Sequence, residues 1–140
     1  MLIMSGVPEL ESFVRQMDQV VRKITHIHFE DINPANDMET LNDIVGSYAI
    51  KSGLSASIEL STGDFLHRLM VASAFRWGLA IEITEKALDC AKVANSTCLS
   101  RGHFVDMWTF KTRMHPASTP FTHAGYETVF RKEAPFKAFA

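Results

Sequence analysis

Cysteine is almost missing from this chain. Two residues in 140, Cys90 and Cys98, stand eight apart with no second pair, which excludes a disulfide framework and argues against a zinc knuckle. Glycine is scarce too. With seven in all, no G-x-x-x-x-G-K-[ST] or G-x-G-x-x-G run occurs, so a phosphate-cradling loop has no support. No apolar stretch reaches the roughly 20 residues of a membrane span, and the opening Met1-Leu2-Ile3-Met4 lacks the basic flank and length of a signal peptide. A cytoplasmic protein is therefore expected. There is no G-x-S-x-G elbow for a nucleophilic serine.

What remains is the composition of one globular domain over residues 1–140: 46% hydrophobic, 21% charged, formal net charge −2. The near-neutral total conceals an asymmetry. Residues 1–100 hold 8 basic and 13 acidic side chains, whereas residues 101–140 hold 6 and 3. Such an offset lacks the dense Lys/Arg stripe of a nucleic-acid footprint, so nucleic acid is not the expected partner. It describes an acidic body followed by a basic, aromatic C-terminal segment.

Periodicity sets out the elements. Leu10, Phe13, Val14, Met17, Val20, Val21 and Ile24 recur at three- and four-residue steps, predicting an amphipathic helix from about Pro8 to Ile24. Asn33-Pro34-Ala35-Asn36 reads as a turn, Asn36 and Glu39 as a capping box, and Met38 to Ala49 as a second helix that Gly53 stops. Residues 54–61 alternate apolar and polar like a half-buried strand. A third helix is expected from about Thr62, capped by Ser61 or Thr62, to Trp77, with Gly78 as terminator and Thr84 capping a fourth helix through Ala94. Residues 79–84 fit a short strand or the middle of one long helix. Residues 103–112 fit a strand buried on both faces or a helix joining Phe104 to Trp108. Two prolines keep 114–120 irregular, Tyr126 to Phe130 is a last short element, and 134–140 forms an apolar tail. The expected class is helix-rich α+β, about four helices with a small sheet; the alternative is an all-α bundle.

The pattern most suggestive of chemistry is His26-Ile27-His28-Phe29-Glu30. On an extended segment His26, His28 and Glu30 project from one face, and two imidazoles with a carboxylate make a half-site for a divalent transition metal. The competing account is a solvated segment end. Asp64/His67 and His103/Asp106 are i, i+3 pairs of the kind that build di-metal sites between helices, although the Glu-x-x-His signature of such bundles is absent. Asp64 is more simply a first-turn acid, with His67 and Arg68 on the exposed side. Cys90 lies in an apolar helical stretch, and Cys98, near Arg101 and His103, is the better thiol candidate.

The tail carries a different signal. Free phenylalanines each expose on the order of 150–250 Å², so Phe136 and Phe139, with Phe130 ahead of them, are expected to dock either on the chain's own body or on a partner. These features lead to the expectation of a small protein–protein interaction or regulatory protein without catalytic activity or cofactor, pairing as a homodimer or with another protein. The alternative is a metal-dependent enzyme built on His26, His28 and Glu30.

Overall fold

A computed structural model describes residues 8–16, 30–130 and 136. The chain divides into two compact units, residues 1–30 and 31–140. In the first, helix α1 spans Pro8–Arg15 and ends in a turn at Gln16; the rest of the expected helix, 17–24, lies outside the described residues.

The second unit contains α2 (Met38–Lys51), β1 (Ser55–Ala56), a 3-10 turn (Ile58–Ser61), α3 (Gly63–Ala72), α4 (Trp77–Val93), β2 (Cys98–Leu99), α5 (Arg101–Thr112), a 3-10 turn (Pro116–Ser118) and α6 (Tyr126–Val129). The strands pair in parallel, Ser55 with Cys98 and Ala56 with Leu99. This is the helix-rich α+β class with a two-stranded sheet.

The helix ends have identifiable causes. The Asn33 turn forms as expected, Asn36 and Asp37 N–H both donating to the Asn33 carbonyl at 3.1 and 2.9 Å. Asn36 is nevertheless not the cap of α2. Asp37 holds that position, and its carboxylate faces backward to accept from Asn33 N–H at 2.7 Å. At α3, Thr62 accepts from Phe65 N–H at 3.3 Å, the capping the sequence implied.

Three helices close with one device, a left-handed residue just past the end, flanked by a donor reaching five residues back. Gly53 (φ 76°) closes α2, with Leu54 N–H to Ala49 O at 3.0 Å. Asn95 (φ 52°) closes α4, with Ser96 N–H to Ala91 O at 2.9 Å. Ala74 (φ 51°) closes α3, with Phe75 N–H to Met70 O at 2.8 Å. A left-handed β-branched residue is a steric outlier. Asn95→Val is therefore expected to cost about 1–2 kcal/mol, and Asn95→Gly to leave stability within about 0.5 kcal/mol, in urea denaturation followed by circular dichroism.

The third closure corrects the sequence reading. The break between α3 and α4 lies at residues 73–76 rather than at Gly78, which sits in the first turn of α4. Two consecutive left-handed non-glycine residues, Ala74 and Phe75, are held by tertiary contacts: Ala74 is fully buried, and the Phe75 carbonyl accepts from Ile32 N–H at 2.7 Å. Residues 79–84 are consequently helical. Thr84 is no cap but a buried mid-helix residue whose hydroxyl donates to the Ala80 carbonyl at 2.8 Å.

Two other segments differ from expectation. Of 54–61 only Ser55 and Ala56 pair as strand, because Leu60 N–H donates to Ser57 O and winds the remainder into a 3-10 turn. Residues 103–112 are helical, not a strand. Their start is fixed by Ser100 and His103, whose Nδ1 accepts from Ser100 N–H at 3.1 Å.

Helices α4 and α5 form the most extensive pair, tied at one end by Lys111 to Glu82 at 2.8 Å. That half-exposed ion pair contributes at most about 1 kcal/mol. The core is aromatic. Phe121, from the proline-flanked loop, inserts among Phe65, Phe104 and Trp108 at centroid distances of 5.9, 5.4 and 6.1 Å. All four are fully buried. Gly46, in the interior of α2, is a different case: glycine there costs about 1 kcal/mol relative to alanine, yet a Cβ would meet nothing within 4 Å.

Candidate functional site

Two constellations in the second unit carry polar or apolar groups beyond what the core uses. The first joins α3 to the C-terminal segment. One turn separates Asp64 from Arg68, so the Arg68 Nε reaches both carboxylate oxygens at 3.0 Å. Its Nη1 then donates to the carbonyls of Pro120 and His123 at 2.9 and 2.8 Å. The guanidinium lies 4.2 Å from the centroid of the Tyr126 ring. Arg101, at the start of α5, adds a contact from Nη2 to Asp64 at 3.2 Å, while its backbone N–H donates to Glu59 at 2.9 Å.

Arg68 is thus not on the exposed side: its side chain is 12% exposed. Nor do Asp64 and His67 act as a pair. Asp64 faces the two arginines, whereas His67 Nδ1 is hydrogen-bonded to the Tyr126 hydroxyl at 2.6 Å and lies 3.4 Å from Glu127. His103 caps α5 with its Nδ1, and Asp106 is exposed. Among the described residues no three His, Cys, Asp or Glu side chains gather as a metal-holding group.

Burial pushes the Tyr126 hydroxyl above its ordinary value, the Glu127 charge adds to this, and Arg68 opposes it. A raised folded pKa means that the native state holds this proton more tightly than the unfolded chain. The stability this supplies is complete below about pH 10 and is lost as pH rises through the folded value. Replacing Tyr126 by Phe is expected to flatten the alkaline fall in melting temperature and to remove a late component of the tyrosinate absorbance titration. The Cys90 thiol is likewise raised, by burial first and then by Asp106 and Asp89, which keeps it protonated and poorly nucleophilic at neutral pH. Both cysteines are free thiols, and Cys98 lies in β2.

The second constellation is a groove of about 340 Å³ between α2 and the β1 segment, lined among others by Asp43, Gly46, Ile50, Ala56 and Ser61. Ile50 is 75% exposed on its wall, and Ile58, two residues beyond Ala56, is 89% exposed. Ser55 and Ser57 N–H donate to Thr97 and Leu99 carbonyls, so the residues on either side of Ala56 face β2. In a parallel ladder the intervening residue then directs its own N–H and C=O to the opposite edge. Ala56 has no hydrogen-bond partner among the described residues.

Of the residues singled out in sequence, Glu30 is exposed, and His26 and His28 lie outside the described residues. Phe130 is buried with its ring 5.8 Å from Trp108; Phe136 is half-buried, 4.9 Å from the same indole and 3.7 Å below the Lys111 ammonium. Phe139 lies outside the described residues. Sequence reasoning passed over Arg68, Tyr126 and the Gly46–Ala56 groove. The signal for the first was the Asp64/Arg68 spacing, and for the last a glycine inside an otherwise regular helix.

Fold and site together define a helix-rich α+β domain with an internal arginine clamp and an open groove of mixed polar and apolar lining. No helix among the described residues is long and apolar enough to cross a membrane. No protein-family model, curated protein or solved structure matches the chain.

Proposed function

We propose that this chain is a non-catalytic protein-interaction module of the cytoplasm that pairs with a second copy of itself or with another protein. The observation carrying this reading is the exposure of Ile50 on the wall of the groove, together with that of Ile58, which follows the lining residue Ala56 by two positions in the chain. Covering each side chain releases roughly 1.5–3 kcal/mol, and exposed aliphatic side chains outside any core are natural contact points. Asp64, Arg68 and Arg101 are engaged with one another, and Arg68 also with two backbone carbonyls, which suits a structural clamp better than turnover. Two free thiols fit a reducing compartment. Because Phe130 and Phe136 both pack on Trp108, partner contact in this proposal passes from the tail to Ile50 and Ile58.

Sedimentation velocity over a concentration series, together with crosslinking in cells, tests the proposal. The expected result is association, with itself or with a crosslinked protein, that Ile58→Asp abolishes while the thermal melt stays unchanged. A monomer at every concentration, with crosslinked partners indifferent to Ile58→Asp, overturns it.

A further inference from the structure

We infer that the α2–β1 groove is a strand-addition site that takes an extended peptide segment carrying an aliphatic anchor and a Lys or Arg. The inference rests on the interaction reading above and names the form of partner it implies.

Three observations specify that form. The outer edge of β1 presents the N–H and C=O of Ala56 without a partner among the described residues, and a donor and acceptor side by side on a strand edge are completed by another extended backbone. Gly46, on α2, lines the same groove as Ala56. Its backbone φ is not positive and a Cβ would meet nothing within 4 Å, so neither conformation nor internal packing calls for glycine there. Leaving out a side chain in a groove lining is what the close approach of a second backbone requires. The apolar part of the lining comes from Ile50 with Val45 and Leu60, which suit an aliphatic side chain, and Asp43 is the one charged residue of the lining, with no lysine or arginine among the lining residues. A helical ligand would satisfy none of Ala56's backbone groups, since its own are internally bonded.

The test is to pan a random nine-residue peptide phage library against the full chain, then measure affinities of the enriched synthetic peptides. Enrichment of sequences with an aliphatic residue at alternate positions and a basic residue is expected, with NMR shifts centred on Gly46 and Ala56. Gly46→Leu, which the open space accommodates, should weaken binding at least tenfold while retaining the native melt. Gly46→Ala should raise the melting temperature by a few degrees. N-methylation of the peptide at alternate residues should weaken binding in one register and not in the other.

Peptides that bind equally well to Gly46→Leu, or that tolerate N-methylation in both registers, overturn strand addition; if Ile58→Asp still abolishes their binding, the interaction reading stands alone. Failure to enrich any peptide overturns the inference as well, and the sedimentation and crosslinking experiment then judges the broader reading by itself.

Discussion

Replacing Arg68 with methionine is expected to destabilise the second unit by about 2–4 kcal/mol, seen as a shifted urea midpoint, and to make residues 114–125 sensitive to limited proteolysis. The size follows from the partners. A charged donor to a carbonyl contributes roughly 1.5–3 kcal/mol, and leaving buried acceptors unsatisfied costs a similar amount. Arg68 serves two carbonyls, those of Pro120 and His123, from a side chain that is 12% exposed. Without it the loop that delivers Phe121 to the core loses its anchor to α3.

Two companion variants separate charge pairing from loop anchoring. Asp64 is 51% exposed, so solvent screens its ion pairs, and Asp64→Asn should cost no more than about 1 kcal/mol. Arg68→Lys should recover little of the loss. A single ammonium lacks the planar fork that reaches Asp64 through Nε while Nη1 bonds two carbonyls. If Asp64→Asn were as damaging as Arg68→Met, the clamp would be an ion pair first and a loop anchor second.

Trp108→Ala is expected to be the most damaging core substitution, at about 3–5 kcal/mol by urea denaturation. The indole is fully buried and meets Phe121, Phe130 and Phe136, so its removal opens a void shared by α5, the proline-flanked loop and the tail. Trp108→Phe should cost only about 1–2 kcal/mol. It retains aromatic contact and removes an indole N–H that has no acceptor among the described residues, an unmet donor worth roughly 1–3 kcal/mol in itself. Equal losses for Ala and Phe would mean that indole shape, rather than buried apolar volume, is what the site demands.

Much of the helical content was legible because period and caps are local. The apolar spacing of Leu41, Val45 and Ala49, the Gly53 stop and the Thr62 cap each depend on neighbours within five residues. The errors fall where a distant contact overrules a local preference. Gly78 looked like a terminator since glycine costs about 1 kcal/mol inside a helix, but the chain turns earlier, at Ala74 and Phe75, where burial and the bond from Ile32 sustain left-handed backbone on residues that resist it. Alternation in 54–61 looked like a strand, yet among the described residues β1 pairs only with β2, 43 residues further along, and for two residues.

The candidate sites divide in the same manner. The Asp64/Arg68 spacing was visible one helical turn apart, but the carbonyls that give Arg68 its role lie more than 50 residues away in sequence. Likewise Gly46 and Ala56 acquire meaning only when α2 and β1 form the two sides of one groove.

Scarcity of cysteine and glycine, the absence of a long apolar run and the periodic faces of α2, α3 and α4 follow from the residues themselves, since composition and spacing act within a turn or two of chain. Tertiary structure alone decided that Phe121 and Trp108 share a core, that Phe130 and Phe136 turn inward onto Trp108, and that Ile50 and Ile58 remain exposed. Those outcomes depend on which surfaces meet across the fold. An apolar side chain has the same local pattern whether the surface opposite it belongs to its own chain or to a partner.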